Sequence, residues 1–314
     1  MSRRAGAPAV TFGVLGPVQA IGAAGPVPLR GPRHRAVLAR LLVARGQVVS
    51  VDRLVGDLWE TPPEQAVAAV RTFVADLRRA LEPERAPRQP ARLLVTAPPG
   101  YALRADPEAV DAWRFETAVT EAGRLIGDGY AGSALARLTD ALACWRGPAY
   151  AEFADQGWAR AEVTRLDELR MLAVERRGEA LLALGRAAEA AVELEQHAAA
   201  QPLREDAWRL WATALYGSGR QGEALAALRR ARETLVAELG LDPGPGLRRL
   251  EADILAQAPH LDPVPPVNRA DVGPPPGEVP AAAPTVGGMA AEAPRTFVGR
   301  REEQELLGAA AAAV

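Results

Sequence analysis

Three groups of arginines carry the only residue spacings in this sequence that point to chemistry. In the segment before Leu81, Arg71, Ala75 and Arg78 recur at i, i+4, i+7, with Thr72 and Arg79 beside them. That spacing lines one side of an α-helix. Arg33 and Arg35 flank His34 directly after Pro32, where a second helical stretch begins. Arg92 and Arg104 bracket a hairpin-like run whose turn contains Gly100. A guanidinium pairs bidentately with phosphate or with a guanine edge and needs no catalytic partner to do so. The matching chemistry is recognition of duplex nucleic acid. Arg71, Thr72 and Arg78 are the candidates for base edges, and Arg92 and Arg104 for phosphate. Cations at a helix start oppose the helix dipole unless an anion sits there, and a DNA phosphate is a natural occupant beside Arg33 and Arg35. A solvated face on an ordinary amphipathic helix shows the same pattern, so charge alone does not decide.

The elements that would position these residues follow from periodicity. Short strand-like runs at 10–15, 18–21 and 27–30 are separated by Gly-Pro and Gly-rich turns, giving a small antiparallel sheet. Val37, Leu38, Leu41 and Leu42 mark one helix, which ends at Gly46. Ser50 is a good N-cap for a short helix from Val51 to Trp59. Thr61, Pro62 and Glu64 spell a capping box for a helix to Leu81 whose apolar stripe is Val67, Val70, Phe73, Val74, Leu77 and Leu81. Residues 92–104 read as a hairpin around Pro98-Pro99-Gly100. Sheet, three helices and hairpin, in that order, form the layout of a winged helix-turn-helix.

From Val110 to about Ala258 the pattern is helical. Residues 180–190 align with 214–224 at an offset of 34, with Gly185 on Gly219, Arg186 on Arg220 and Glu189 on Glu223. Gly129, Ala134 and Leu135 form a looser third copy. A 34-residue helix-turn-helix period is the tetratricopeptide signature. Such stacks offer a groove for another protein. Glu189 and Glu223 read as capping or ion-pairing residues. The six Trp read as core, Cys144 as a small buried apolar residue, and His197 and His260 as exposed.

Charge is unevenly spread. All 37 basic residues are Arg. Residues 1–105 hold 15 Arg against 7 acids, and residues 106–262 hold 18 Arg against 26. A basic head on an acidic body favours a polyanion partner for the head. A single cysteine and three scattered histidines leave no disulfide framework and no metal cluster, so neither a metal nor another cofactor is expected. No acid–base pair or nucleophile stands out, so no enzyme activity is expected. Neither a signal peptide nor a membrane-spanning run is legible, which predicts a cytoplasmic chain acting on the nucleoid, with no membrane partner.

Nine Pro between 263 and 294 read as an extended linker. Structure restarts at Arg295, and Phe297–Leu306 looks like the entry to an NB-ARC or AAA-type ATPase domain. With no Lys, the chain has no Gly-x4-Gly-Lys phosphate loop and would not bind ATP by that route.

Four stretches in fixed order, Pro32–Leu38, Val49–Trp59, Val70–Leu81 and Pro99–Leu103, resemble the OmpR-type winged helix of the Streptomyces antibiotic regulatory protein (SARP) family. Val110–Glu116, Ala141–Pro148, Gln201–Glu205, Ala214–Leu225 and Glu238–Pro243 resemble that family's bacterial transcriptional activation domain. With its tail, the chain resembles the N-terminal part of the large AfsR-like members. The resemblance implies a mainly α fold with a small β part. Its domains would be a winged-helix DNA-binding domain at 8–105, a tetratricopeptide-like activation domain at 106–262, a linker at 263–294 and the start of a truncated ATPase-like domain at 295–314. It further implies an activator, built like a two-component output domain, that binds direct repeats near the promoter −35 element. Copies would sit side by side on DNA and recruit RNA polymerase holoenzyme, sigma factor included, to control antibiotic biosynthesis. By the same resemblance the recognition helix is Pro63–Leu81 and the wing Arg92–Leu103. Asp76 departs from the pattern, standing where family members often have a basic or polar residue; an acid facing DNA there would repel phosphate or accept from a cytosine amino group. Two rival readings remain: a tetratricopeptide scaffold whose basic head is incidental, and the regulatory part of an ATP-dependent switch.

Overall fold

A computed structural model of the chain describes residues 10–86 and 88–261. The linker expected at 263–294 and the ATPase-like start at 295–314 lie outside the described residues.

The chain opens with an antiparallel sheet of β1 (Val10–Gly13), β2 (Gln19–Gly22) and β3 (Gly25–Pro26). The third strand falls at 25–26 rather than the expected 27–30. The Gly22–Gly25 turn is tighter than expected, and the ladder continues only as far as Val27 N donating to Ala20 O at 2.9 Å. Next come α1 (Pro32–Val43), β4 (Val49–Ser50), α2 (Val51–Leu58), α3 (Ala66–Leu81), β5 (Leu94–Ala97) and β6 (Gly100–Leu103). Pro32 sits at the start of α1, where its fixed φ suits a helix and its missing N–H costs nothing. Ser50 caps α2 as expected, accepting from Arg53 N at 3.1 Å.

The capping box before α3 does not form. Helix begins at Ala66, and its N-cap Gln65 makes no side-chain bond. Pro63 disfavours helical backbone at the residue before it, which is Pro62, so Thr61–Glu64 cannot make the first turn. The shift also exchanges two core positions. Ala66 is buried and Val67 is exposed.

β4 lies between α1 and α2 in the chain and joins the hairpin as an edge strand. It pairs with β6, giving sheet order β4-β6-β5. That pairing needs Gly100, because a Cβ there would lie 1.8 Å from Val49 O.

The rest is helical: α4 (Asp111–Gly127), α5 (Ala131–Leu142), α6 (Gly157–Ala183), α7 (Ala187–Ala200), α8 (Glu205–Gly217), α9 (Gln221–Leu239) and α10 (Pro245–Leu255). The helices pair as α4/α5, α6/α7 and α8/α9, with α10 packed on α8 and α9. Each pair turns at a glycine in the left-handed region, with φ of 82° at Gly129, 71° at Gly185 and 80° at Gly219. The residue after each closes the helix end: Tyr130 N donates to Leu125 O, Arg186 N to Leu181 O, and Arg220 N to Leu215 O, at 2.8–2.9 Å. The looser third repeat is therefore a true hairpin of the same design. Glu189 and Glu223 form equivalent ion pairs with Arg186 and Arg220.

His197 is buried, not exposed. It lies 3.4 Å from Glu175, which also holds Arg204. Burial alone would raise the Glu175 carboxyl, but hydrogen bonds from His197 and Arg204 outweigh it and hold the carboxyl below its ordinary value. His260 is exposed, as expected, beside Asp253 at 3.2 Å. Cys144 is half-buried at the surface end of its turn.

Head and body share one continuous core. Buried Asp111, at the start of α4, accepts from Val14 N at 2.8 and 3.0 Å and from Leu15 N at 3.2 Å. Arg146 reaches the same carboxylate at 3.3 Å. Around this point Tyr150 N donates to Val14 O and Arg146 N to Leu15 O, both at 2.7 Å. Glu152 accepts from Val18 N at 2.7 Å and from Arg35 at 2.9 Å.

Candidate nucleic-acid interface

α3 buries Val70, Val74, Leu77 and Leu81 against the head. Its opposite side carries Val67, Ala68, Arg71, Thr72, Ala75 and Arg79, all exposed. Arg71 has no hydrogen-bond or ion-pair partner among the described residues. Thr72 turns its hydroxyl back to Ala68 O at 3.1 Å. The expected stripe thus exists, but it gains Val67 and Ala68, which the sequence reading placed in the core or passed over. The signal for them was the Pro62-Pro63 pair, which delays the helix and rotates its start.

Arg78 has a different role from its neighbours. Its guanidinium donates to Leu94 O at 2.7 Å and Thr96 Oγ1 at 2.8 Å and lies 5.6 Å over the Tyr101 ring. It therefore braces α3 against both strands of the hairpin. Burial lowers its pKa somewhat, without discharging it near neutrality. The Pro98-Pro99 turn of the wing is exposed, whereas Gly100 is buried under Val49. Gly100 shapes the wing from inside and presents nothing to a ligand.

At the start of α1 the expected anion is present, but the protein supplies it. Asp76 reaches across from α3 to His34 at 3.3 Å and to Arg30 at 2.9 Å, and it also pairs with Arg79 at 3.0 Å. The His34 hydrogen bond leads, with the Arg30 and Arg79 charges behind it, in holding the Asp76 carboxyl below its ordinary value against a partial desolvation cost. Asp76, which would repel phosphate if it faced DNA, instead faces inward and is 12% exposed. Arg35 is committed to Glu152 of the body. Arg33 remains exposed, stacked 4.6 Å over Trp59. Arg92 and Arg104 are exposed at the base of the hairpin, where both line a cleft against the β2–β3 turn. The structure therefore brings Arg71, Thr72, Ala75 and Arg79 together on one face. It does not place Arg35, Gly100, Arg92 or Arg104 on that face.

Among the described residues no group of His, Cys, Asp or Glu is arranged to hold a metal, and no helix is long and apolar enough to cross a membrane.

A three-helix module with an exposed third-helix face, a braced wing and a stack of helical hairpins defines the class of winged-helix transcriptional regulators. Comparison with known proteins agrees. Residues 27–103 match the family model "Transcriptional regulatory protein, C terminal" and residues 110–255 match "Bacterial transcriptional activator domain". The chain is 40% identical over 249 residues to the transcriptional regulatory protein EmbR of Mycobacterium tuberculosis, covering 79% of this chain and 64% of EmbR. It is 37% identical over 266 residues to the transcriptional regulatory protein MoaR1 of the same species, covering 84% and 85%. A solved structure of M. tuberculosis EmbR in complex with a low-affinity phosphopeptide superposes with a TM-score of 0.75 at 39% identity, over 81% of this chain and 66% of that one. The chain belongs to the SARP family of transcriptional activators. It spans just under two thirds of the length of EmbR.

Proposed function

We propose that this chain binds promoter DNA through α3 and the wing, and that its helical body recruits RNA polymerase. The observation that carries the reading is the exposed face of α3. Arg71 stands unpaired at its centre, Val67, Ala68 and Ala75 surround it, and Arg78 locks the wing alongside. Arg71 suits a guanine edge, and the neighbouring small apolar groups suit a thymine methyl. Arg33 and Arg79 flank this face as phosphate contacts. In the further reading, copies pair side by side on direct repeats near the −35 element, the acidic body meets polymerase and its sigma factor, and the genes controlled are those of secondary metabolism.

Mobility-shift titration on promoter fragments at several salt concentrations tests the first part. Each phosphate neutralised contributes about −0.9 to the slope of log affinity against log salt. Arg71→Ala is expected to weaken the preferred site by about 5- to 150-fold, the range of 1–3 kcal/mol for a bidentate base contact. Affinity indifferent both to salt and to Arg71→Ala would remove the assignment. Footprints with and without polymerase test the second part.

A further inference from the structure

We propose that Val67 is a specificity-determining residue of the α3 face, and that it reads the 5-methyl group of a thymine close to the guanine met by Arg71. The inference rests on the reading of α3 as the DNA-binding helix and extends that reading to a sequence requirement.

Between Ala66 and Leu81 the exposed positions are Val67, Ala68, Arg71, Thr72, Ala75 and Arg79, and none is an acid. The one carboxylate of the helix, Asp76, is turned onto Arg30, His34 and Arg79. A cytosine amino group therefore finds no carboxylate acceptor on this side of α3. The Thr72 hydroxyl donates to Ala68 O, and Arg79 is drawn to Asp76. Arg71 is left as the free polar reader, and its guanidinium suits guanine. The rest of the face is apolar. In the major groove the apolar feature that separates one base pair from the others is the thymine methyl.

Val67 is the side chain of this face that can reach it. It lies in the first turn of α3, 39% exposed, and recognition helices meet base edges with their N-terminal residues. Folding does not ask for a branched side chain there. Ala66 and Val70 fill the core on either side of it, and Val is a poorer helix former than Ala. Ala68 and Ala75 are small and let the helix lie close to the groove floor. Val67 and Arg71 are four residues apart, on one side of the helix and about 6 Å from each other along its axis. Base pairs stack about 3.4 Å apart, so a helix following the groove sets the two contacts about two base pairs apart.

The experiment begins with site selection by the full chain from a random-sequence duplex pool. Each thymine of the selected site is then replaced in turn by deoxyuridine, which keeps every hydrogen-bonding group and removes the methyl. Fluorescence anisotropy measures binding by the parent chain, Val67→Ala and Arg71→Ala. At one thymine, deoxyuridine should weaken the parent about fourfold, the worth of one buried methylene-sized group, and leave Val67→Ala unaffected. A 7-deazaguanine about two base pairs away should weaken the parent and leave Arg71→Ala unaffected. Cytosine at the thymine position, then 5-methylcytosine, should recover about the same fourfold factor in the parent alone. Urea denaturation verifies that Val67→Ala folds, as its exposure and the better helix propensity of Ala predict. No deoxyuridine penalty at any thymine, or an equal penalty in the parent and Val67→Ala, would overturn the proposal. Loss of the selected site in Arg71→Ala would then leave the reading of α3 standing by itself. Failure to select any sequence, or a selected site that Arg71→Ala binds as tightly as the parent, would remove that reading and this inference with it.

Discussion

Removing the Asp111 carboxylate is expected to cost far more than removing any surface ion pair in this protein. Asp111 is 6% exposed and accepts two backbone N–H groups from a strand end 97 residues earlier, at Val14 and Leu15. It also accepts from Ala112 N at 2.7 Å, at the start of its own helix. Asp111→Ala leaves the Val14 and Leu15 N–H groups buried and unpaired. Each such group costs about 1–3 kcal/mol, and breaking a buried charged cluster about 3–5 kcal/mol. The smaller side chain adds a cavity where β1 meets α4. The expected loss is therefore about 3–5 kcal/mol, or about 6–20 °C in Tm for a chain of this size. Asp111→Asn should fall in between, because one oxygen still accepts while the amide NH2 confronts a second backbone donor. Arg146→Ala is the control. Arg146 is 33% exposed and sits 3.3 Å from a carboxylate that keeps its three backbone donors without it, so Arg146→Ala should cost less than Asp111→Ala, even with its hydrogen bond to Pro17 O lost as well. Urea denaturation followed by circular dichroism and by tryptophan fluorescence reads both quantities. Five of the six Trp lie in the body and one in the head, so coincident transitions in the parent chain would show one cooperative unit. A loss below about 1 kcal/mol in Asp111→Ala, or a loss equal to that of Arg146→Ala, would refute the reasoning that this carboxylate fastens head to body.

Arg78→Ala should lower stability by about 1.5–3 kcal/mol through the lost charged hydrogen bond to Leu94 O, whereas Arg71→Ala should leave the urea midpoint unchanged. Gly100→Ala should destabilise by about 3 kcal/mol or more, since the added methyl meets Val49 O and β4 must separate from β6. Its signature is loss of the wing with retention of most helical ellipticity. Acid should weaken the body. The folded Glu175 carboxyl lies below its unfolded value, so its contribution is complete above the ordinary 4.5 and is lost as pH falls through the folded value. A fall in Tm below about pH 4.5 that is shallower in Glu175→Gln than in the parent would confirm that assignment, the remaining slope belonging to other lowered carboxyls such as Asp76.

Periodic features were readable because local sequence determines them. The Gly-Arg-x-x-Glu pattern at 185–189 and 219–223 fixes a left-handed turn and an i, i+3 ion pair in each hairpin, and both depend only on neighbours. The buried side of α3 from Val70 onward follows from 3.6-residue spacing. Its start does not, because the capping box and the Pro62-Pro63 pair make opposing demands and backbone sterics prevail. β4 has only two residues and exists because β6 lies beside it, so no window of sequence contains its cause. Asp111 looks like any acid in a first helical turn. Its partners lie in β1, and only the tertiary fold reveals them.

The arginines show most clearly where a sequence reading stops. With every basic residue an Arg, residue type cannot separate a DNA contact from a structural cation, and the nearest carboxylate decides. Arg35 meets Glu152 and fastens head to body. Arg79 and Arg30 meet Asp76, which holds both in place on the protein itself. Arg78 meets a carbonyl and aligns the wing. Arg71 meets no carboxylate among the described residues, and that leaves it available. The same rule explains how an acidic body can pack against a basic head. Body acids such as Glu116 and Glu162 are turned onto Arg45 at the seam, so part of the body's negative charge is spent on the head. Fastened at Asp111 and Glu152, the body cannot swing independently. Its orientation relative to α3 is fixed by the fold rather than by a tether.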